Sequence, residues 1–301
     1  MAPTRNGAGD GIGVYKHITS TGNQAVKEAA RLGRKRHRHD RRQFLTEGED
    51  LLDAALARGV IPRQVFAVEG TEEDIADRFT AAGLKWPGKV ELFSCSPPVM
   101  EKLSALGSGS RVAAVFDMVD RKFPGVLESA TASGPAGERA AGIGPVLYLA
   151  GVADPGNVGT IMRSAAAMGA AAVLMGPGTA DPYSPKSLRA TMGAVFQLPF
   201  FLTVNPATAV SWAERSGFPV IAAQAHAGKS VWDADLSDGF VLVLGSEREG
   251  VPHRLAEAAQ GVRIPQEGGA ESLNVAMAAT AILCEAARQR VKVRGDGGSQ
   301  D

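Results

Sequence analysis

Apolar and polar positions alternate in two separate series along the chain. In the C-terminal half, short apolar runs predict strands at 146–151, 171–175, 220–225 and 240–245. Helices are predicted between and after them, at 158–168, 206–216, 253–260 and 273–291. Apolar strands joined by helical crossovers imply a parallel sheet covered on both faces. In the N-terminal half, "FLTEGEDLLDAALARG" places Phe44, Leu51, Leu52, Ala55 and Leu56 on one side of a helix ending near Gly59. Strands are expected there at 65–68, 90–94 and 112–118, with helical stretches at 72–82 and 98–106, a small α/β layer structure.

The stretch "ESATASGPAGERAAGIG" between the two series consists of small residues with Gly and Pro, which predicts a linker. The expected division is a disordered N-terminus at 1–23, a first domain at 24–126, a linker at 127–144, a second domain at 145–292 and a flexible tail at 293–301. The 301 residues, 45% of them hydrophobic, suffice for this arrangement.

Charge adds one feature. The chain balances 32 basic against 32 acidic residues, yet "RLGRKRHRHDRR" concentrates Arg34, Lys35, Arg36, Arg38, Arg41 and Arg42. Such a run is either a solvated helix face or a polyanion-binding patch, and its density favours the polyanion. Cys95 and Cys284 fall outside any CxxC or Cys/His spacing, which predicts a reducing compartment and no metal site. No apolar run approaches the ~18 residues of a membrane helix and no signal segment is evident, so a cytoplasmic protein without membrane attachment is expected.

Candidate chemistry gathers at three polar segments following predicted strands: 154–159, 245–250 and 264–274. In open parallel sheets this is the side on which ligands bind. "DPGNVGTIMR" supplies Gly156-x-x-Gly159 rather than GxGxxG, and no acidic residue closes the next strand, which argues against a dinucleotide fold. Arg163 follows among Ile161, Met162, Ala165 and Ala166. It reads either as a surface arginine or, with its stem buried, as a phosphate or carboxylate clamp. "VLVLGSEREGVP" flanks its glutamates with Gly245 and Gly250, and Ser272 is expected at a helix N-cap.

Taken in order, "NVGTIMRSAAAMGA", "LVLGSEREGVP" and "IPQEGGAESLNVAMAATAILCEAARQR" resemble the three signature motifs of the SpoU/TrmH branch of SPOUT RNA 2′-O-methyltransferases. The segment "DPYSPKSLRATMGAVFQLP" and the N-terminal "LGRKRHRHDRRQFLTEGEDLLDAAL" resemble that family too, the latter its ribosomal-protein-like RNA-binding domain. The resemblance spans roughly residues 24 to 292. It implies an α/β fold with a C-terminal parallel-sheet domain tied in a trefoil knot, a homodimer with RNA as substrate, and S-adenosylmethionine as methyl donor. It also implies roles for Asn157, Arg163, Glu247, Ser272 and Asn274 in the chemical step, and for Leu244, Gly245, Gly250, Ile264 and Leu273 around the cofactor. One departure is Ala276, where the family often has Ser.

A ribose 2′-hydroxyl is a poor nucleophile, so the resemblance gives Arg163 two alternative tasks: assisting loss of the proton, or stabilising the developing alkoxide. The basic run would neutralise RNA phosphates, with Lys186 and Arg189 adding to it. The extra N-terminal domain resembles that of members directed at ribosomal RNA, and 23S ribosomal RNA is the expected substrate. A tRNA 2′-O-methyltransferase and a non-catalytic RNA-binding protein on the same fold are the alternatives. All five polar motif residues are present, which favours an enzyme.

Overall fold

Gly48 divides the segment that the apolar pattern predicts as one helix. Its φ of +103° lies where only glycine is comfortable. Residues Gln43–Glu47 before it form a strand, and the helix is confined to Glu49–Leu56. Phe44 therefore enters the core from a sheet, not from the helix that its spacing suggests. In this computed structural model the described residues are 15–84, 89–105, 107, 109–125, 127, 143–268 and 272–296. Residues 1–14 of the expected disordered N-terminus, 128–142 of the expected linker and 297–301 of the expected tail lie outside them.

The described chain divides into two units, 15–119 with 181–196, and 120–180 with 197–296. The first is built on β1 (Lys16–Ile18), β2 (Gln43–Glu47), β3 (Gln64–Val68), β4 (Glu91–Cys95) and β5 (Val112–Asp117). Their order is β1-β4-β3-β5-β2. Strands β1, β3 and β4 run parallel, while β5 is antiparallel to both of its neighbours. Lys16–Ile18, expected to be disordered, is thus an edge strand, and Ile18 is buried. Cys95 is buried in β4, and burial pushes its thiol up to about 12, with Glu72 adding to the effect.

The basic run forms a helix at Lys35–Arg41 that turns Arg38 inward. Arg38 is 2% exposed, donates from Nη2 to Asp181 Oδ2 at 2.7 Å, and from Nη1 to the Leu32 carbonyl at 2.7 Å. Asp181 opens the stretch 181–196, which sequence alone places with the second domain but which packs with the first unit. Its helices Pro185–Thr191 and Ala194–Gln197 were not evident in the sequence. Phe44 lies 4.6 Å from the Tyr183 ring and 5.9 Å from Phe196, and the Tyr183 hydroxyl accepts from the Val119 N–H at 2.8 Å. Aromatic burial and one buried ion pair hold this excursion of the chain in place.

The second unit contains β6 (Val146–Ala150), β7 (Ala172–Met175), β8 (Phe200–Phe201), β9 (Val220–Ala223), β10 (Lys229–Ser230), β11 (Val241–Gly245) and β12 (Gln260–Arg263). They form one sheet, β10-β12-β9-β11-β6-β7-β8, with every pairing parallel. Every residue of β6, β7 and β11 is buried, as expected of a sheet covered on both faces. Tyr148, Phe201, Trp212 and Phe218 fill one side, and the Tyr148 hydroxyl donates to the Val204 carbonyl. The succession β6-β7-β8 runs one way, and β11 lies on the other flank of β6, so the strand ends at Ala150 and Gly245 flank a topological switch point.

Helix Val275–Asp296 packs against helix Pro155–Ala167, with Ser164 Oγ and Thr280 Oγ1 2.7 Å apart. Gln289 fastens its distal part, accepting from the Leu236 N–H and donating to the Ala234 carbonyl. Among the described residues no helix is long and apolar enough to cross a membrane.

Removing one partner of a buried ion pair leaves the other charge without compensation. Arg38→Ala and Asp181→Ala are each expected to lower unfolding stability by about 3–5 kcal/mol in urea denaturation. The double variant should lose less than the sum of the two. Strict additivity would show that the pair is not coupled.

Candidate active site

The three segments singled out after the predicted strands meet through side-chain hydrogen bonds. Beyond β6 the chain turns at Gly151, φ +77°. Asp154 then caps helix Pro155–Ala167, its Oδ1 accepting from the Asn157 N–H at 3.0 Å. Pro155 occupies the first turn, where its missing N–H costs nothing. The cap fixes Asn157 at the mouth of the helix.

Beyond β11, Ser246 and Gly250 exchange both backbone hydrogen bonds, Ser246 N to Gly250 O at 3.1 Å and Gly250 N to Ser246 O at 3.0 Å. This closes a three-residue loop, Glu247-Arg248-Glu249, with Gly250 at φ +68° supplying the left-handed position that such loops use. A Cβ added to Gly245 would lie 2.1 Å from the Gly250 carbonyl carbon, so only glycine allows this closure.

Glu247 accepts from Asn157 Nδ2 at 2.7 Å through Oε1, and from the Ala153 N–H at 3.2 Å through Oε2. Asn157 Oδ1 in turn accepts from Asn274 Nδ2 at 3.1 Å. Asn274 Oδ1 accepts from the N–H groups of Ala276 and Met277. The cap of the last helix is therefore Asn274, not Ser272 as the sequence suggests, because the helix begins at Val275. Burial acts to raise the pKa of Glu247, but donation by Asn157 and by the N–H groups of Glu247, Ala153 and Asp154 prevails and lowers it. A carboxylate held in this way stays ionised and ties the first two loops together; it is poorly suited to accept a proton near neutrality.

Two clefts flank this bracket. One, of about 740 Å³, is lined by Leu244, Gly245, Gly250, Ile264, Ser272 and Leu273, with Glu247 and Asn274 at its edge. Strand β11 pairs with β6 through Gly245 but with β9 only through Val243. The β9-side backbone edge of Gly245 thus has no strand partner and lines the cleft. The other cleft, of about 1070 Å³, is lined by Gly151, Asp154, Asn157, Pro177, Arg248 and Asn274. Both include Ser246, Glu247, Glu249 and Gly250.

Gln224 and His226, beyond β9, and Val262 of β12 also line the first cleft and were missed in the sequence. For Gln224 and His226 the signal was present, since polar residues directly follow an apolar run. Strand β12, "QGVR", offers too little apolar pattern to be read.

Arg163 departs from the expected burial: it is exposed, lines neither cleft and makes no hydrogen bond or ion pair among the described residues. The buried face of its helix consists of Val158, Ile161, Met162 and Ala165, and the helical period points position 163 away from it. Of the basic candidates, Arg38 is unavailable to RNA because it is buried against Asp181. Arg34, Lys35, Arg36, Arg41 and Arg42 are exposed, as are Lys186 and Arg189 on helix Pro185–Thr191 of the first unit. Among the described residues no group of three or more His, Cys, Asp or Glu is placed to hold a metal ion.

Comparison with known proteins decides the family. Residues 144–284 match the SpoU rRNA Methylase family, and residues 23–114 match an MRM3-like substrate binding domain. A Bacillus subtilis protein named 23S rRNA (guanosine(2553)-2′-O)-methyltransferase RlmP is 30% identical over 269 residues, covering 89% of this chain and 98% of the relative. The chain belongs to the SpoU rRNA methylase family. A crystal structure of an AdoMet-bound rRNA methyltransferase from Sinorhizobium meliloti has a TM-score of 0.75 at 31% identity, covering 91% of this chain and 98% of the other. A Streptomyces viridochromogenes protein named 23S rRNA (uridine(2479)-2′-O)-methyltransferase is 38% identical over 146 residues, which is 46% of this chain and about half, 51%, of that relative. As a SpoU-family member with an AdoMet-bound neighbour at this similarity, the chain is an S-adenosylmethionine-dependent methyltransferase. The first cleft fits that cofactor: it pairs unpartnered strand backbone, suited to a base edge, with the apolar side chains of Leu244, Ile264 and Leu273.

The lowered pKa of Glu247 fixes the sign of a pH effect. Its contribution to stability is present above the unfolded carboxylate value of about 4.3 and is lost as pH falls through the lower folded value. Glu247→Gln should remove this acid-limb contribution, so the wild-type advantage near neutrality should shrink below about pH 4 in thermal melts. A difference between the two proteins that does not change with pH would contradict it.

Proposed function

We propose that this SpoU-family chain methylates a ribose 2′-hydroxyl of 23S ribosomal RNA in the cytoplasm, as a homodimer. The observation that carries the reading is the Asn157–Glu247–Asn274 bracket, which sets a cofactor-sized cleft and a second, open cleft on opposite sides of one loop. The names of the full-length Bacillus relative and of the Streptomyces relative support the choice of RNA and of the ribose oxygen.

S-adenosylmethionine supplies an electrophilic methyl group on a sulfonium. The backbone of Leu244 and Gly245, the turn at Gly250 and the side chains of Ile264 and Leu273 would hold it. Asn157, kept in orientation by Glu247 and Asn274, would align the ribose in the open cleft, with Ser272 at the rim of the cofactor cleft. Holding both reactants in one geometry converts a bimolecular encounter into an effectively unimolecular step. Arg163 would act at the 2′-hydroxyl, either assisting loss of its proton or stabilising the alkoxide, with a neighbouring phosphate as its partner.

Its exposure in the single chain supports a site completed by a second copy. Leu273 and Met277, 41% and 54% exposed at the start of the last helix, are apolar surface suited to being covered. The packing of that helix against Pro155–Ala167 is compatible with the trefoil knot that the resemblance implies. The exposed cations of 34–42, Arg38 excepted, together with Lys186 and Arg189, would neutralise RNA phosphates.

Incubation with labelled S-adenosylmethionine and total RNA should label the 23S fraction at a 2′-O position. Label confined to tRNA would move the substrate class, and none in any RNA would leave an RNA-binding protein. At saturating RNA, Arg163→Ala should reduce single-turnover methylation by at least 100-fold, about 2.7 kcal/mol of transition-state stabilisation, while the cofactor dissociation constant stays within about twofold. Wild-type turnover in that variant would remove Arg163 from the chemical step.

A further inference from the structure

The open cleft confronts an anionic substrate with an acidic wall. Asp154, Glu247 and Glu249 all line it. Two of these carboxylates have internal tasks: Asp154 caps helix Pro155–Ala167, and Glu247 is held by Asn157 and the Ala153 N–H. Neither task removes the negative charge. Arg248 is the single Lys or Arg among the described residues lining this cleft. It forms no ion pair or hydrogen bond with either neighbouring glutamate or with any other described residue, and it is exposed. Its place is also fixed. Arg248 occupies the tip of the three-residue loop, whose ends are locked by the paired Ser246 and Gly250 backbone bonds and by donation of the Glu249 N–H to Ser246 Oγ.

A guanidinium without an internal partner, carried on a rigid loop beside otherwise acidic lining, has the form of a phosphate-holding group. We propose that Arg248 holds an RNA phosphate next to the ribose in the open cleft, a substrate-positioning role distinct from that of Arg163. The proposal rests on the reading of this cleft as the RNA side of the active site. Position 248 lies exposed between Gly245 and Gly250, the two glycines that frame the loop.

The test uses the full-length protein, 23S ribosomal RNA transcribed in vitro, and the variants Arg248→Gln and Arg248→Lys. RNA binding is measured over a range of salt concentrations, and S-adenosylmethionine binding by calorimetry. Loss of one phosphate contact should reduce the slope of log affinity against log salt by about one in Arg248→Gln. RNA affinity should fall about tenfold at low salt, Lys should restore most of it, and cofactor affinity should stay unchanged. Wild-type RNA affinity and salt slope in Arg248→Gln would overturn the role. So would a parallel loss of cofactor affinity, which would place the residue in the other cleft. If the wild-type protein itself fails to methylate RNA, the reading of the cleft falls and the proposal with it. Wild-type methylation together with an unaffected Arg248→Gln removes the proposal alone.

Discussion

The site depends on one carboxylate whose hydrogen bonds keep it ionised. Glu247 gathers donors from the loop after β6, from its own loop and from Asn157, and Asn157 accepts from the residue that caps the last helix. Three loops distant in sequence thus become one rigid rim. An ionised acceptor suits this use, since hydrogen bonds to charged groups are about twice as strong as neutral ones. The same saturation keeps it ionised. Its work is to hold Asn157 and the loop carrying Arg248 in fixed places, from which other groups can act on substrate.

The parallel sheet makes this economy available. Where strand order reverses, neighbouring strands send their following loops to opposite faces and leave a crevice at their carboxyl ends. Here the crevice is split by the 246–250 loop into a cleft with a free backbone edge at Gly245 and a wider, more open one. The first suits a nucleoside cofactor and the second a flexible anionic chain. Glycine sets the partition: any side chain at Gly245 would collide with the backbone of Gly250 and force the loop out of the crevice.

The first unit shows a different use of charge. A run of cations reads as a binding face, but Arg38 lies within it and serves the core, held by Asp181 from a stretch over one hundred and forty positions away in sequence. The same stretch brings Tyr183 and Phe196 onto Phe44. A fragment ending at 119 would therefore lack part of its own core, and one lacking 1–119 would expose those aromatics. Domain deletion is for this reason a blunt tool here, and single substitutions on the exposed basic face are the cleaner probe of RNA binding.

The apolar runs of β6, β7, β9 and β11 were legible because a strand buried on both faces must be apolar throughout, which no neighbour can alter. The three motif loops were legible because glycine, proline and capping residues mark local backbone geometry. Local pattern misled where a contact from afar set the outcome. Phe44 sits in a strand because β5 pairs with it, Ser272 yields its cap to Asn274 because the helix starts later, and β12 exists because β9 lies beside it. Which cations face solvent also escaped the sequence, since burial of Arg38 required Asp181 to arrive. The sequence by itself determined the parallel α/β plan and the loops that would carry chemistry, both consequences of short-range periodicity and backbone preference. Only the tertiary structure decided that Asn157, Glu247 and Asn274 form one bracket and that Arg163 stands free of it, because those facts depend on pairing between residues roughly one hundred positions apart.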